Sequence, residues 1–164
     1  MNFTSTRGKT PPNGIDQALV AGLAPDGGLY VPGQIPTLSS LPCAASLADT
    51  ARAVLLPYFD GSTLRNRLDE LCAHAYAFPA PLRSLANDGD HLLELFHGPT
   101  AAFKDYAARF LAAASAQLRP TDAAPTTIVV ATSGDTGAAV AAAFHRRPGF
   151  NVVILYPDGR VSPR

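Results

Sequence analysis

Lys104 is one of only two lysines in a chain of 164 residues, the other being Lys9, whereas arginine occurs 11 times. Positive charge is otherwise carried by arginine, so each lysine is a candidate for chemistry. Lys104 lies in Ala101-Ala102-Phe103-Lys104-Asp105-Tyr106-Ala107, with Thr100, Ala101, Ala107 and Ala108 as its helical neighbours at i−4, i−3, i+3 and i+4. None of the four is acidic, so the helix offers no ion-pair partner. In a first turn, the positive end of the helix dipole disfavours a cation by about 0.3–1 kcal/mol. Such settings turn lysine into a nucleophile toward aldehydes, the first step of Schiff-base formation. A lysine on an alanine-rich helix can equally extend its amine to water. Asp105 fits the first turn and is within i+4 reach of Arg109, where it would support the helix.

The second candidate is Thr132-Ser133-Gly134-Asp135-Thr136-Gly137, three hydroxyls and two glycines in six residues between an apolar run and a helical one. Free N–H groups at a helix N-terminus, with glycines allowing close approach, suit an anion. The turn is neither the dinucleotide fingerprint nor a P-loop. Asp135 or Ser133 could instead cap the helix, and capping is compatible with ligand binding. The histidines His74, His91, His97 and His145 show no metal spacing, and Ser133 is in no G-x-S-x-G elbow. His97 alone falls near candidate chemistry, in the turn before the lysine helix. Cys43 and Cys72 stand far apart and in no ligand spacing, so neither a metal site nor a disulfide framework is expected.

These residues need a core to hold them. Hydrophobic residues make up 47% and charged residues 16%, a balance that folds rather than remaining disordered. Thirteen basic residues against thirteen acidic ones give no electrostatic case for nucleic acid or an anionic membrane surface. The first ten residues lack the apolar stretch of a signal peptide, and no window approaches 18 uninterrupted apolar residues. A cytoplasmic setting is the expectation.

The pattern predicts a mostly helical first half. Ile15 to Ala21 reads as a helix closed by Gly22, and Leu29-Tyr30-Val31 as a short strand stopped by Pro32. Ser46 caps a helix ending at Pro57. Ser62 caps the next, where Leu64, Leu68, Leu71 and Ala75 repeat at helical spacing. Phe78-Pro79-Ala80-Pro81 reads as a linker. The second half alternates: a strand over 91–96, a helix to about Leu118, a buried strand Thr126–Ala131, a helix Ala138–Arg147 and a buried strand Asn151–Tyr156. That order predicts an α/β unit with three parallel strands. A sheet ending just before Val161-Ser162-Pro163-Arg164 reads as unfinished, so truncation is expected.

Five ordered segments resemble one family. Glu94-Leu95-Phe96-His97-Gly98-Pro99-Thr100-Ala101-Ala102-Phe103-Lys104-Asp105 is similar to the cofactor-lysine segment of threonine synthases. Ala131-Thr132-Ser133-Gly134-Asp135-Thr136-Gly137-Ala138-Ala139 is similar to their substrate loop, and Gly22-Leu23-Ala24-Pro25-Asp26-Gly27-Gly28-Leu29-Tyr30-Val31-Pro32 to their opening motif. Phe78-Pro79-Ala80-Pro81 and Val153-Ile154-Leu155-Tyr156-Pro157 fit as well.

The resemblance implies a fold-type II pyridoxal-phosphate enzyme of the tryptophan-synthase β-like superfamily. It implies an N-terminal family domain over 1–80 and the truncated start of a three-layer catalytic α/β domain over 81–164. Pyridoxal 5'-phosphate would be held on Lys104 as an aldimine, with Lys104 also moving protons. Thr132, Ser133, Gly134 and Thr136 would receive the substrate carboxylate, and Asp135 would lie beside the cofactor's phenolic oxygen. The reaction implied is O-phosphohomoserine plus water to threonine plus phosphate, that of a carbon–oxygen lyase acting on phosphates. A carboxylate at 135 beside an anion site needs compensation, which a proton shared with the cofactor oxygen would provide. The family's phosphate-binding loop and its contact to the pyridine nitrogen have no match here. The piece alone is therefore expected to make no threonine, to bind the cofactor weakly or not at all, and to pair with another copy through the strand near 151–156. Two other readings are a related lyase, such as a threonine dehydratase, and a non-catalytic α/β module binding a phosphorylated small molecule.

Overall fold

The computed structural model describes residues 1–38 and 46–160, so Cys43 and the last four residues lie outside it. The chain opens with a strand that the sequence did not announce. β1 (Phe3–Ser5) pairs antiparallel with β2 (Tyr30–Pro32), Phe3 facing Pro32 and Ser5 facing Tyr30. Asp26 fastens this pair. Its carboxylate accepts from Ser5 Oγ at 2.6 Å, and from the N–H groups of Gly28 and Lys9 at 2.9 Å each. The Ser5 hydroxyl, then these backbone donors, hold the Asp26 carboxyl down at about 2.

Between the strands, α1 (Ile15–Ala21) ends at Gly22 as the pattern requires, with φ +71° and the Gly22 N–H on Ala18 O at 3.0 Å. α2 (Leu47–Leu55) begins with a reciprocal box: Ser46 Oγ accepts from the Asp49 N–H and Asp49 accepts from the Ser46 N–H, both at 3.1 Å. The expected cap at Ser62 does not form. A 3-10 turn (Arg65–Arg67) intervenes, and α3 runs over Leu68–Ala75. Ser62 instead donates its hydroxyl to Asp16 of α1 and accepts from the Leu64 N–H at 3.0 Å, tying two helices together. Leu64, Leu68, Leu71 and Ala75 are all buried, as their spacing predicts.

The expected first parallel strand is corrected. Only His91–Leu93 is extended, as β4, and it pairs antiparallel with β3 (Leu82–Ser84), with Ser84 facing His91. Asn87-Asp88-Gly89-Asp90 closes this hairpin, with Gly89 at φ +84° and the Asp90 N–H on Asn87 O at 3.2 Å. A tight turn between neighbours in sequence prevails over a long crossover. Then come α4 (Lys104–Leu118), β5 (Thr126–Ala131), α5 (Asp135–Phe144) and β6 (Phe150–Leu155). β5 and β6 are parallel, with Thr126 facing Phe150 and Ala131 facing Leu155. Among the described residues the parallel sheet therefore has two strands rather than three. Nor are its strands buried. Val129, Val153 and Leu155 are exposed on one face, while Ile128 and Val152 pack inward. The architecture is mixed α/β, and among the described residues no helix is long and apolar enough to cross a membrane.

α4 is shared by two cores. Ala113 and Ala114 enter a cluster with Phe3, Ile15, Phe59, Leu64, Leu68 and Leu71, with Phe110 and Leu118 packed against it. Phe59 meets Phe110 edge to face at 5.9 Å, a geometry that stabilises beyond simple area burial. Ala108 and Ala112 meet Ala139, Ala143 and Phe144 of α5. Small side chains let these two helices approach closely. Gly137 continues that logic, because a Cβ there would strike the Thr132 methyl and stand 3.2 Å from Ile154 Cγ2.

Candidate active site

Two turns deliver the N-termini of α4 and α5, and they are built differently. In the first, the Asp105 carboxylate is fully buried, with 0% of the residue exposed. Its Oδ2 accepts from the Thr100 N–H and its Oδ1 from the Thr100 hydroxyl, each at 2.8 Å. Asp105 thus reaches back over its own turn and does not pair with Arg109, as the i,i+4 spacing suggested. Arg109 is used elsewhere: Nε donates to Ala75 O at 3.0 Å and Nη2 to His74 O at 2.7 Å, satisfying carbonyls at the end of α3. Gly98 is required by this closure, since a Cβ there would stand 2.7 Å from Asp105 Cβ. Ala101 has φ +54°, a left-handed conformation that costs an alanine about 1–2 kcal/mol. It persists because its surroundings hold it.

Lys104 begins α4 at intermediate exposure. Its ammonium lies 4.2 Å from the Phe103 ring centroid, a cation–π contact. Phe103 is itself 57% exposed. No acidic group forms an ion pair with Lys104 among the described residues.

The turn before Lys104 is also held from outside. His97 Nε2–H donates to Glu94 Oε2 at 2.7 Å, and Arg83 Nε lies 3.3 Å from Glu94 Oε1. The His97 hydrogen bond leads the effects that hold the Glu94 carboxyl below its ordinary value, with Arg83 adding to it. The His97 ring stacks on Phe96, centroids 4.7 Å apart. Sequence reasoning left Arg83 and Glu94 unassigned. The i,i+3 spacing of Glu94 and His97 was the available signal, and the β3–β4 pairing that brings Arg83 alongside was not read.

The second turn, 132–137, is open. Ser133, Gly134 and Asp135 are exposed, while Thr132 and Thr136 are half-buried. No side chain caps α5, whose N-cap is Gly134. The capping roles considered for Ser133 and Asp135 are therefore not taken up. The side-chain bond present is internal to the turn, from the Gly134 N–H to Thr132 Oγ1 at 3.2 Å. α5 begins at Asp135 rather than at Ala138, so Asp135, Thr136 and Gly137 form its first turn. An uncapped N-terminus carrying hydroxyls is an anion-accepting arrangement.

A third cluster joins the helices behind these turns. Arg147 Nη2 donates to His74 Nε2 at 3.4 Å, which requires an unprotonated ring nitrogen there. Burial, then Arg109 and Arg147, hold the His74 pKa below its ordinary 6.5. Cys72 is a buried free thiol, and among the described residues no group of His, Cys, Asp and Glu could hold a metal.

The geometry has close counterparts. A family model described as "Threonine synthase N terminus" matches residues 2–76. Threonine synthase of Haemophilus influenzae is 44% identical over 151 residues, which cover 91% of this chain and 35% of that protein. The Escherichia coli threonine synthase is 43% identical, covering 90% and 35% respectively. Among solved structures, PLP-bound threonine synthase from Brucella melitensis superposes with a TM-score of 0.89 at 41% identity, covering 99% of this chain and 37% of that one. The yeast threonine synthase gives 0.84 at 33% identity, covering 99% and 36%. The chain thus spans about a third of the length of the curated relatives it matches. By sequence and by fold, the chain is similar to threonine synthases over the part of those enzymes that it spans.

Proposed function

We propose that this chain supplies the amine and the carboxylate-binding turn of a pyridoxal-phosphate-dependent threonine synthase. The enzyme would convert O-phosphohomoserine and water to L-threonine and phosphate. The observation that carries the reading is the presence in one α/β unit of a lysine at the start of α4 with no acidic partner among the described residues and an uncapped, hydroxyl-bearing N-terminus on α5. The likeness to a PLP-bound threonine synthase supports the choice of cofactor.

The residues present suit that cofactor. Lys104 is free of ion pairs among the described residues, so its amine is available to a carbonyl carbon. Pyridoxal phosphate, when bound, supplies an electron sink for charge developing at the substrate carbons. Lys104 would hold the cofactor and move protons at the substrate Cα and Cβ, a task for one flexible amine within reach of both. The N–H groups and hydroxyls at Thr132, Ser133, Gly134 and Thr136 receive the substrate α-carboxylate. Asp135 would lie beside the cofactor's phenolic oxygen. Residues 81–164 would begin the catalytic α/β domain, whose further layers would cover the open face of β5 and β6.

The test uses the full-length enzyme. Incubation with O-phosphohomoserine should release phosphate and form threonine in equal amounts, and borohydride reduction should leave the cofactor on the Lys104 peptide. Label on another residue, or 2-oxobutanoate from threonine without phosphate release from phosphohomoserine, would overturn the reading.

A further inference from the structure

His97 is left without a task by this reaction, yet it is firmly held. Its ring is fixed by Glu94 at 2.7 Å and by stacking on Phe96. Only 16% of the Glu94 side chain is exposed, against 64% for Arg83, so the carboxylate is set inward while its guanidinium partner faces water. The grip falls one residue before Gly98, whose backbone abuts the Asp105 carboxylate. Four residues after His97, Ala101 is held at φ +54°. Segment 97–100 therefore has a hold at each end: Glu94 on His97, and Asp105 on Thr100. Ala101 follows directly, and its left-handed conformation relaxes when the turn before it is released. Lys104 is three residues further on, at the first position of α4.

We propose that the Glu94–His97 pair is a positioning device for Lys104, fixing the direction in which the amine leaves α4. The pair acts through the turn and makes no demand on substrate or cofactor. The proposal rests on the reading of Lys104 as the reactive amine, but its test reads Lys104 itself.

Lys9 and Lys104 are the two lysines of this chain, so each molecule carries its own reference. Competitive acylation with a limiting reagent, followed by peptide mapping across a pH series, gives the Lys104-to-Lys9 reactivity ratio in the folded chain. Glu94→Gln and His97→Asn should each change that ratio by at least about threefold, toward the lower end of couplings between touching residues. The double variant should change it no more than the larger single effect, because the two residues act as one unit. A pair that served stability alone would lower the melting temperature and leave the folded-state ratio unmoved, and that result would overturn the proposal. So would a double variant whose effect is the product of the singles. If Glu94→Gln fails to fold, Glu94→Asp and His97→Gln carry the same comparison. A changed ratio in a protein whose full-length enzyme releases no phosphate from phosphohomoserine would support the positioning role and sink the threonine synthase reading.

Discussion

The turns at the starts of α4 and α5 have similar compositions and opposite constructions. Each contains a glycine and a threonine and has an aspartate in the first turn of its helix. In the first, Asp105 is buried and takes two hydrogen bonds from Thr100. In the second, Asp135 is exposed and no side chain caps the helix. One turn is completed by the chain itself, which suits the job of holding a side chain in place. The other is largely exposed and has no side-chain cap, which suits the job of receiving a ligand.

The largest expected effect is at Lys104. Lys104→Ala in the full-length enzyme should lower turnover by about 10³-fold or more, the scale of a lost proton-transfer group. The melting temperature should hardly move, since the side chain forms no ion pair among the described residues; turnover near that of the wild type would remove Lys104 from the mechanism. The two aspartates come next. Asp105→Ala should destabilise the chain by about 2–4 kcal/mol in urea unfolding, because the half-buried Thr100 donors lose their acceptor. Asp135→Ala should stay within about 0.5 kcal/mol; equal effects at the two positions would erase the contrast. The glycines sharpen it on a smaller scale. Gly98→Ala should cost about 1–3 kcal/mol by driving a methyl into Asp105, whereas Gly134→Ala meets open space and should change stability by less than about 0.5 kcal/mol.

A pH test addresses what both helices share. Arg109 of α4 and Arg147, just past α5, converge on His74 at the end of α3. The His74 pKa is lower when folded than its ordinary 6.5, so the unfolded chain binds more protons in that window. Stability should therefore be complete above the ordinary value and fall as pH drops through it toward the folded one. Urea midpoints measured across that range should show the loss, and His74→Gln should flatten it. Smallest of all, Ala101→Gly should leave stability unchanged or raise it by up to about 1 kcal/mol, relief of left-handed strain offsetting glycine's entropy. A clear loss would mean that the alanine is not strained.

Much of this was legible because it is local. The end of α1 at Gly22, the end of α4 at Leu118 and the bounds of β5 all follow from short-range pattern. The buried stripe of Leu64, Leu68, Leu71 and Ala75 does too. β1 was missed because three residues show no periodicity and their partner lies more than twenty positions away. Asp105 was assigned to Arg109 on spacing alone. Its own turn offered two donors closer by, and Arg109 was drawn to carbonyls 34 and 35 positions away. β5 and β6 read as buried because they are apolar on both faces, yet one of those faces is exposed in this chain. At the site, Lys104 and the 132–137 turn stood out by residue type, but the Glu94–His97 grip depends on how the chain folds around its turn.

The double use of α4 also bears on recombination between related enzymes. A crossover near residue 80 would transplant α1 to α3 while leaving Phe110, Ala113, Ala114 and Leu118 to meet a foreign surface. The mismatch would fall on the helix that begins with Lys104. A crossover in the loop after Leu118 moves that interface as one inherited block, so chimeras joined there should retain the lysine's geometry more often than chimeras joined at the linker.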